Sequence, residues 1–230
     1  MPPQSHIAAV ILAAGESSRL GQPKQLIQFR GKTLVRRMVD AASEARCRPI
    51  LVVLGNSKQT SHLHSLGSPT GEAREHEIEL VEGISSELKK TGATVVANPN
   101  WKSGIGTSIR AGIQHLIEIA PEVEATVLLA CDQPFVDHAV IDGLITLHHE
   151  TRKSIVAASY AGTLGVPALF DRSRLPDLLG LDDSAGAKSI ILSNRDQVAE
   201  FPFPEGEIDI DTPEDCERLC NSNRENKGRR

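Results

Sequence analysis

The stretch LAAGESSRLGQPKQL, residues 12–26, combines two glycines, two serines and two cations directly after an apolar run. Gly15 lets a backbone come close to a ligand, and Ser17 and Ser18 add hydroxyl donors. Arg19 offers a bidentate fork and Lys24 a point charge, a pairing suited to a polyphosphate. Neither GxGxxG nor GxxxxGK[ST] occurs here, so the loop is not one of the two best-known phosphate loops. Asp132 follows another apolar run in LLACDQPFV. An acid there either holds Mg²⁺ against phosphates or braces the turn at Pro134. In EIDIDTPED, Asp209 and Asp211 alternate on an extended segment and share a face, where two close carboxylates call for a cation or a donor. Asp211 is equally explained as a helix cap, and Glu214 and Asp215 as partners of the helix dipole. In NPNWKSGIGTSIRAG, residues 98–112, Gly104 and Gly106 free the backbone at a helix start. Amides there either meet an anion or a base edge, or merely connect two elements. No GxSxG elbow is present, and Cys131 reads as strand packing rather than a nucleophile.

Alternating strands and helices must position these residues. Ile7–Leu12, Pro49–Leu54, Thr94–Ala97, Ala125–Ala130 and Ser154–Ala158 read as strands, with helices over Lys32–Ala45, Ile105–Ala120 and Asp137–His149 between them. Nearly continuous apolar strands imply a parallel sheet covered on both faces. Right-handed crossovers then bring the strand C-terminal ends to one edge, where open α/β sheets bind ligands. Further on, Gly165–Phe170 and Glu207–Ile210 read as strands, Ser184–Ser193 as a short helix, and Asp211–Asp215 as the opening of a last one. Residues 57–92, with a helix expected over Leu80–Lys90, are a surface elaboration. His62 and His64 there read as solvated loop residues, and residues 221–230 as a disordered tail.

The 230 residues suit a single α/β domain, and 3% aromatic content requires a core of Ala, Val, Ile and Leu. A net charge of −5 argues against a general nucleic-acid binder, which needs a basic face. The absence of a long apolar run or an apolar leader is read as a cytoplasmic protein with no membrane partner. Cys47, Cys131, Cys216 and Cys220 show no metal-site spacing and read as reduced thiols.

Taken together, LAAGESSRLGQPKQL, NPNWKSGIGTSIRAG, CDQPFV, GVPALF and DIDTPED resemble the MobA-like nucleotidyltransferases, and most closely the molybdenum cofactor cytidylyltransferase branch. The resemblance spans residues 7–220 and implies a three-layer, Rossmann-like nucleotidyltransferase fold with a mostly parallel central sheet. By that resemblance, Leu12, Ala13, Ala14, Gly15, Arg19, Lys24, Gly106, Thr107 and Ser108 bind nucleotide, and Arg19, Lys24 and Asp132 are catalytic. It also implies that Asp132, with Asp209 or Asp211, holds Mg²⁺. Ala13-Ala14-Gly15 and Thr107-Ser108-Ile109-Arg110 are similar to the CTP-using version of the two loops.

The expected reaction is transfer of CMP from CTP to a phosphate acceptor of the molybdopterin type, with pyrophosphate leaving. A client molybdoenzyme or its chaperone is the expected protein partner. Two other readings stand beside it: transfer to a sugar or alditol phosphate, and a nucleotide-binding accessory protein for molybdoenzyme maturation without turnover. The chain departs from the family at Asp183-Ser184-Ala185-Gly186-Ala187-Lys188, where a Gly-Asp-x-Gly-Ala-Arg-like segment is usual and lysine stands in place of arginine.

Overall fold

The computed structural model describes residues 6–15, 23–55, 83–84, 86–89, 91–210 and 215. In chain order the strands are β1 (Ile7–Leu12), β2 (Gln28–Phe29), β3 (Lys32–Thr33), β4 (Ile50–Gly55), β5 (Thr94–Asn98), β6 (Ala125–Ala130), β7 (Ile155–Tyr160), β8 (Thr163–Asp171) and β9 (Val198–Pro202). The helices are α1 (Leu34–Glu44), α2 (Ile105–Ile119), α3 (His138–Thr151), α4 (Leu175–Leu179) and α5 (Ala187–Ser193). Seven strands form one sheet in the order β5-β4-β1-β6-β8-β7-β9. β1 lies parallel to β4 and β6, β4 to β5, and β7 to β9. Only β8 runs antiparallel within this sheet, against both β6 and β7.

β1, β4 and β6 are buried along all but their last residue, as strands covered on both faces must be. Their side chains divide by the strand period of two. Ile7, Ala9 and Ile11 pack with Val35, Met38 and Val39 of α1 and with Ile141 and Leu144 of α3. Ala8 and Val10 face the other way, with Ile109 and Ile113 of α2, Leu178 of α4 and Ile190 of α5. A fully buried Val, Ile, Leu or Met is worth about 1.5–3 kcal/mol, and Phe29 on one face and Phe170 on the other add buried rings to these aliphatic layers. At Gly112 a Cβ would fall 2.6 Å from Val10 Cγ1 and 2.9 Å from Val53 Cγ2, which is how closely α2 lies on the sheet. Thr33 caps α1 and Asp137 caps α3, their side-chain oxygens accepting from the Arg36 and Val140 amides.

The alternating α/β organisation is as expected from the sequence, with local corrections. The first helix starts at Leu34, because Lys32 and Thr33 pair with Gln28 and Phe29 across a turn at Arg30 (φ 52°) and Gly31 (φ 79°). The later strand begins at Thr163, directly after Ala161 (φ 46°) and Gly162 (φ 71°), a two-residue hairpin turn that forces β8 antiparallel to β7. Glu207–Ile210 is not a strand: Pro204–Glu207 is a 3-10 turn, and Ile208, Asp209 and Ile210 join no sheet. β9 and α4 were not anticipated. Within the expected Leu80–Lys90 helix, the described residues Ile84 and Leu88 are helical and buried. Most of 57–92, with His62 and His64, lies outside the described residues, as do residues 221–230; of the expected last helix only Asp215 is described, and it is helical. Among the described residues no helix is long and apolar enough to cross a membrane.

Candidate functional site

The sheet edge where β1, β6 and β7 end carries a cleft of about 300 Å³. Its first wall is the loop after β1. The Ala13 amide donates to Val53 O at 2.9 Å, and Leu12 O accepts from the Cys131 amide at 3.1 Å. The buried Gln25 side chain donates from Nε2 to Ala13 O at 2.6 Å and to Gly15 O at 3.4 Å. These bonds take up loop carbonyls and set the course of residues 12–15. Oε1 of Gln25 is buried without a hydrogen-bond partner. The short 3-10 turn Lys24–Leu26 brings Lys24 alongside, its Cε 3.4 Å from where a Cβ on Gly15 would stand. From there Lys24 Nζ reaches Asp132 Oδ2 at 2.7 Å.

Asp132 sits just past the end of β6 and is fixed from three directions. Its carbonyl accepts from the Ile210 amide at 3.1 Å, which ties the segment carrying Asp209 to the loop carrying Asp132. Next to it, Gln133 Nε2 donates to Val166 O and to Gly206 O, both at 3.0 Å. Val166 O also accepts from the Tyr160 hydroxyl at 3.1 Å. That carbonyl is available because the β7–β8 register shifts between Ala157↔Ala168 and Ala158↔Gly165, leaving Val166 and Pro167 as a bulge. The Tyr160 ring lies between Gly165 and Gly206: a Cβ on Gly165 would come within 2.4 Å of its hydroxyl, and one on Gly206 within 2.6 Å of Cδ1. Burial pushes the Tyr160 phenol above its ordinary pKa, and the charges of Asp209 and Asp132 push the same way. Both carboxylates thus act on one phenol, and carboxylates are the ligand type that a hard divalent cation takes. Among the described residues no group of three potential metal ligands occurs. Asp211 and Arg19 lie outside the described residues.

The opposite wall is formed by Ile105 and Ile109 of α2 and by Gly186, Ala187 and Lys188 at the start of α5. Here the sequence expectation needs correcting. Thr107 and Ser108 do not line the cleft: both are buried, and their hydroxyls accept from Asn98 Nδ2 at 2.8 and 2.9 Å. Thr107 Oγ1 in turn donates to Gly104 O at 2.8 Å. The Gly106 amide donates to Asp183 O at 2.9 Å, so it is spent on the 182–185 segment. Arg110 donates to Leu181 O and to the Asp183 carboxylate and clamps the same segment. The glycines of the second loop thus serve close approach between two parts of the chain: a Cβ on Gly106 would lie 2.0 Å from Asp182 O.

Leu12, Ala13, Ala14, Gly15, Lys24 and Asp132 come together in one cleft, as the sequence suggested. Sequence reasoning missed Gln25, Tyr160, Gly165, Val166, Ile105 and Ile109. The side chain after Lys24 and the turn in SYAGTLG were the available signals for Gln25 and for the Tyr160–Val166 unit. Burial makes Cys131 a poor thiolate: its pKa is raised, first by desolvation and then by the neighbouring Asp132.

A family model for the MobA-like NTP transferase domain matches residues 9–198. The chain belongs to this nucleotidyltransferase family. Within the family's wider circle, the nicotine blue oxidoreductase of Paenarthrobacter nicotinovorans is 25% identical over 93% of this chain and 96% of its own length. The molybdenum cofactor cytidylyltransferase of Escherichia coli is 22% identical over 92% of this chain and 94% of its own. Among solved structures, Rv0371c of Mycobacterium tuberculosis superposes with a TM-score of 0.72 at 26% identity, covering 94% of this chain and 98% of that one. The same Mycobacterium protein has also been solved in complex with manganese, with a TM-score of 0.69 and 25% identity. The seven-stranded, mostly parallel sheet matches the family architecture.

Proposed function

We propose that this MobA-like protein transfers CMP from CTP to a phosphate acceptor of the molybdopterin type and releases pyrophosphate. The observation that carries the reading is the placement of Lys24 against Asp132, between the backbone of Leu12–Gly15 and the segment bearing Asp209. Likeness to the E. coli cytidylyltransferase supports the acceptor class, and Ala13-Ala14-Gly15 supports cytosine.

In this reading the backbone of residues 12–15, set by Gln25, orients the nucleotide, and Lys24 turns from Asp132 to the phosphates. An oxygen of the acceptor phosphate attacks the α-phosphorus in line, the bond from that phosphorus to the bridging oxygen breaks, and pyrophosphate leaves with the electron pair. Lys24 neutralises charge growing on the departing oxygens, with Arg19 as its expected companion. Asp132 and Asp209, with Asp211 as the remaining expected ligand, would hold Mg²⁺; the manganese complex of Rv0371c supports a divalent ion in a related protein. Bound there, the cation would supply charge neutralisation on the phosphates. Positioning and electrostatics suffice, and no covalent nucleophile is required. The protein is proposed to be cytoplasmic and to work as one domain.

The test is pyrophosphate release from CTP and Mg²⁺ with molybdopterin as acceptor, and with glucose 1-phosphate in its place as a sugar-phosphate control. Release with molybdopterin alone supports the proposal. CTP binding without release, whatever the acceptor, overturns it in favour of a binding protein.

A further inference from the structure

Three charged residues line the cleft among those described: Lys24, Asp132 and Lys188. The first two already face each other at 2.7 Å, on the side of the sheet packed by α1. Lys188 belongs to the other side. Its helix, α5, buries Ala187, Ile190 and Ile191 in the core shared with α2, and the Lys188 side chain itself is exposed at the cleft. The cleft therefore has cations on both sides of one sheet edge, and among the described residues only Lys24 has a carboxylate against it.

The peptide that carries Lys188 is held firmly. Gly106 N bonds Asp183 O, Ala185 N bonds Asp182 O at 3.0 Å, and Ser189 N bonds Gly186 O at 3.1 Å. Arg110 grips Leu181 and Asp183. No carboxylate among the described residues pairs with Lys188, so its charge is available to a ligand. Beside it, Ile105 is 44% exposed, and its Cγ2 lies 3.6 Å from the Cβ position of Gly186. Ile105 thus presents an apolar surface at the cleft beside the start of α5, with the buried Ile109 behind it.

We infer that Lys188 binds the phosphate of the acceptor, a phosphomonoester whose body rests against Ile105; this rests on the nucleotidyl-transfer reading above. The physical reason is charge. A triphosphate drawn to Lys24 leaves the opposite wall facing a polyanion, and a second phosphate brought there is repelled unless a cation stands on its own side. An ammonium on a flexible stem suits a phosphate that must approach and then change its bonding. Lysine in place of the usual arginine gives a point charge where the family has a fork, so the contact here is single rather than bidentate.

Lys188→Met and Lys188→Arg separate the possibilities, and both change an exposed side chain. With Mg²⁺ and CTP, Lys188→Met raises the KM for molybdopterin at least about tenfold, the loss expected for one charge-assisted bond, while the KM for CTP stays within about twofold. Lys188→Arg restores most of it. Independently of turnover, ³¹P NMR titration of phenyl phosphate onto protein loaded with Mg²⁺ and a non-hydrolysable CTP analogue shows binding to the wild type that is lost in Lys188→Met. A rise in the KM for CTP alone, or equal phenyl phosphate binding by both proteins, overturns the inference. If phenyl phosphate binding depends on Lys188 but no acceptor releases pyrophosphate, the transfer reading falls and the phosphate site stands.

Discussion

Lys24 and Asp132, 108 positions apart in the chain, meet at 2.7 Å with side chains 14% and 25% exposed. Both side chains keep contact with water, so the charge left when one partner is removed can be resolvated at little cost to stability. In the proposed reaction both residues are wanted elsewhere, the lysine by phosphate and the acid by a cation. Lys24→Met, which keeps the stem packed over Gly15, and Asp132→Asn should each lower pyrophosphate release by about 10²-fold or more, the scale seen when one preorganised electrostatic group is removed. Thermal melting of both variants should stay close to wild type, since partly exposed pairs contribute about 0–1 kcal/mol. Full activity in either variant removes that residue from the mechanism.

The same contact sets opposite signs for the two ligands. In Lys24→Met, Asp132 no longer has the ammonium against it, so Mn²⁺ alone should bind more tightly than to wild type, whereas CTP alone should bind more weakly. Calorimetric titration of each ligand separately measures both. Weaker Mn²⁺ binding to the variant would mean that Asp132 is not a metal ligand.

Much of this site was legible in the sequence because its carriers are local. Gly15 and Lys24 stand beside β1, and Asp132 stands just past the end of β6; an apolar run ending in such residues identifies a sheet edge without any coordinates. The second loop was misjudged for a reason of the same kind. Glycines at a helix start permit close approach equally to a ligand and to another piece of chain, and only the fold shows that Asp182–Ala185 occupies that place. Gln25 and Tyr160 were invisible because their roles depend on partners far away or on a bulge: Ala13 O for the one, Val166 O for the other. β8 was half seen, since Ala161 takes a left-handed conformation that the sequence does not announce.

Gly106 and Gly31 should respond differently to the same substitution. At Gly106 a Cβ would meet backbone oxygens, Asp182 O at 2.0 Å and Ala185 O at 2.9 Å, none of which can swing aside. Gly106→Ala should therefore cost about 1–3 kcal/mol by chemical denaturation and displace the wall bearing Lys188, lowering activity as well. At Gly31 nothing lies within 4 Å, but φ is 79°. Gly31→Ala should cost about 1 kcal/mol through backbone strain alone and leave activity unchanged. Equal effects at the two positions would refute this distinction.

Cys47 links stability to alkaline pH. Burial first, then the charge of Asp142, pushes its thiol up to about 12, and Cys131 shifts in the same direction. An unfolded thiol titrates near 8.5, so above that pH the unfolded chain has lost protons that the native state keeps, and stability must fall as pH rises. Each such thiol contributes a slope of up to about 1.4 kcal/mol per pH unit over that interval. Denaturation midpoints measured from pH 8 to 10 should decline, and Cys47→Ala should flatten the decline by its own share. Iodoacetamide at pH 9 should leave Cys47 and Cys131 unlabelled in the native protein and label both in guanidinium. Rapid native labelling of Cys131 would mean that the loop at Asp132 opens far more readily than its bonds to Ile210, Val166 and Gly206 imply.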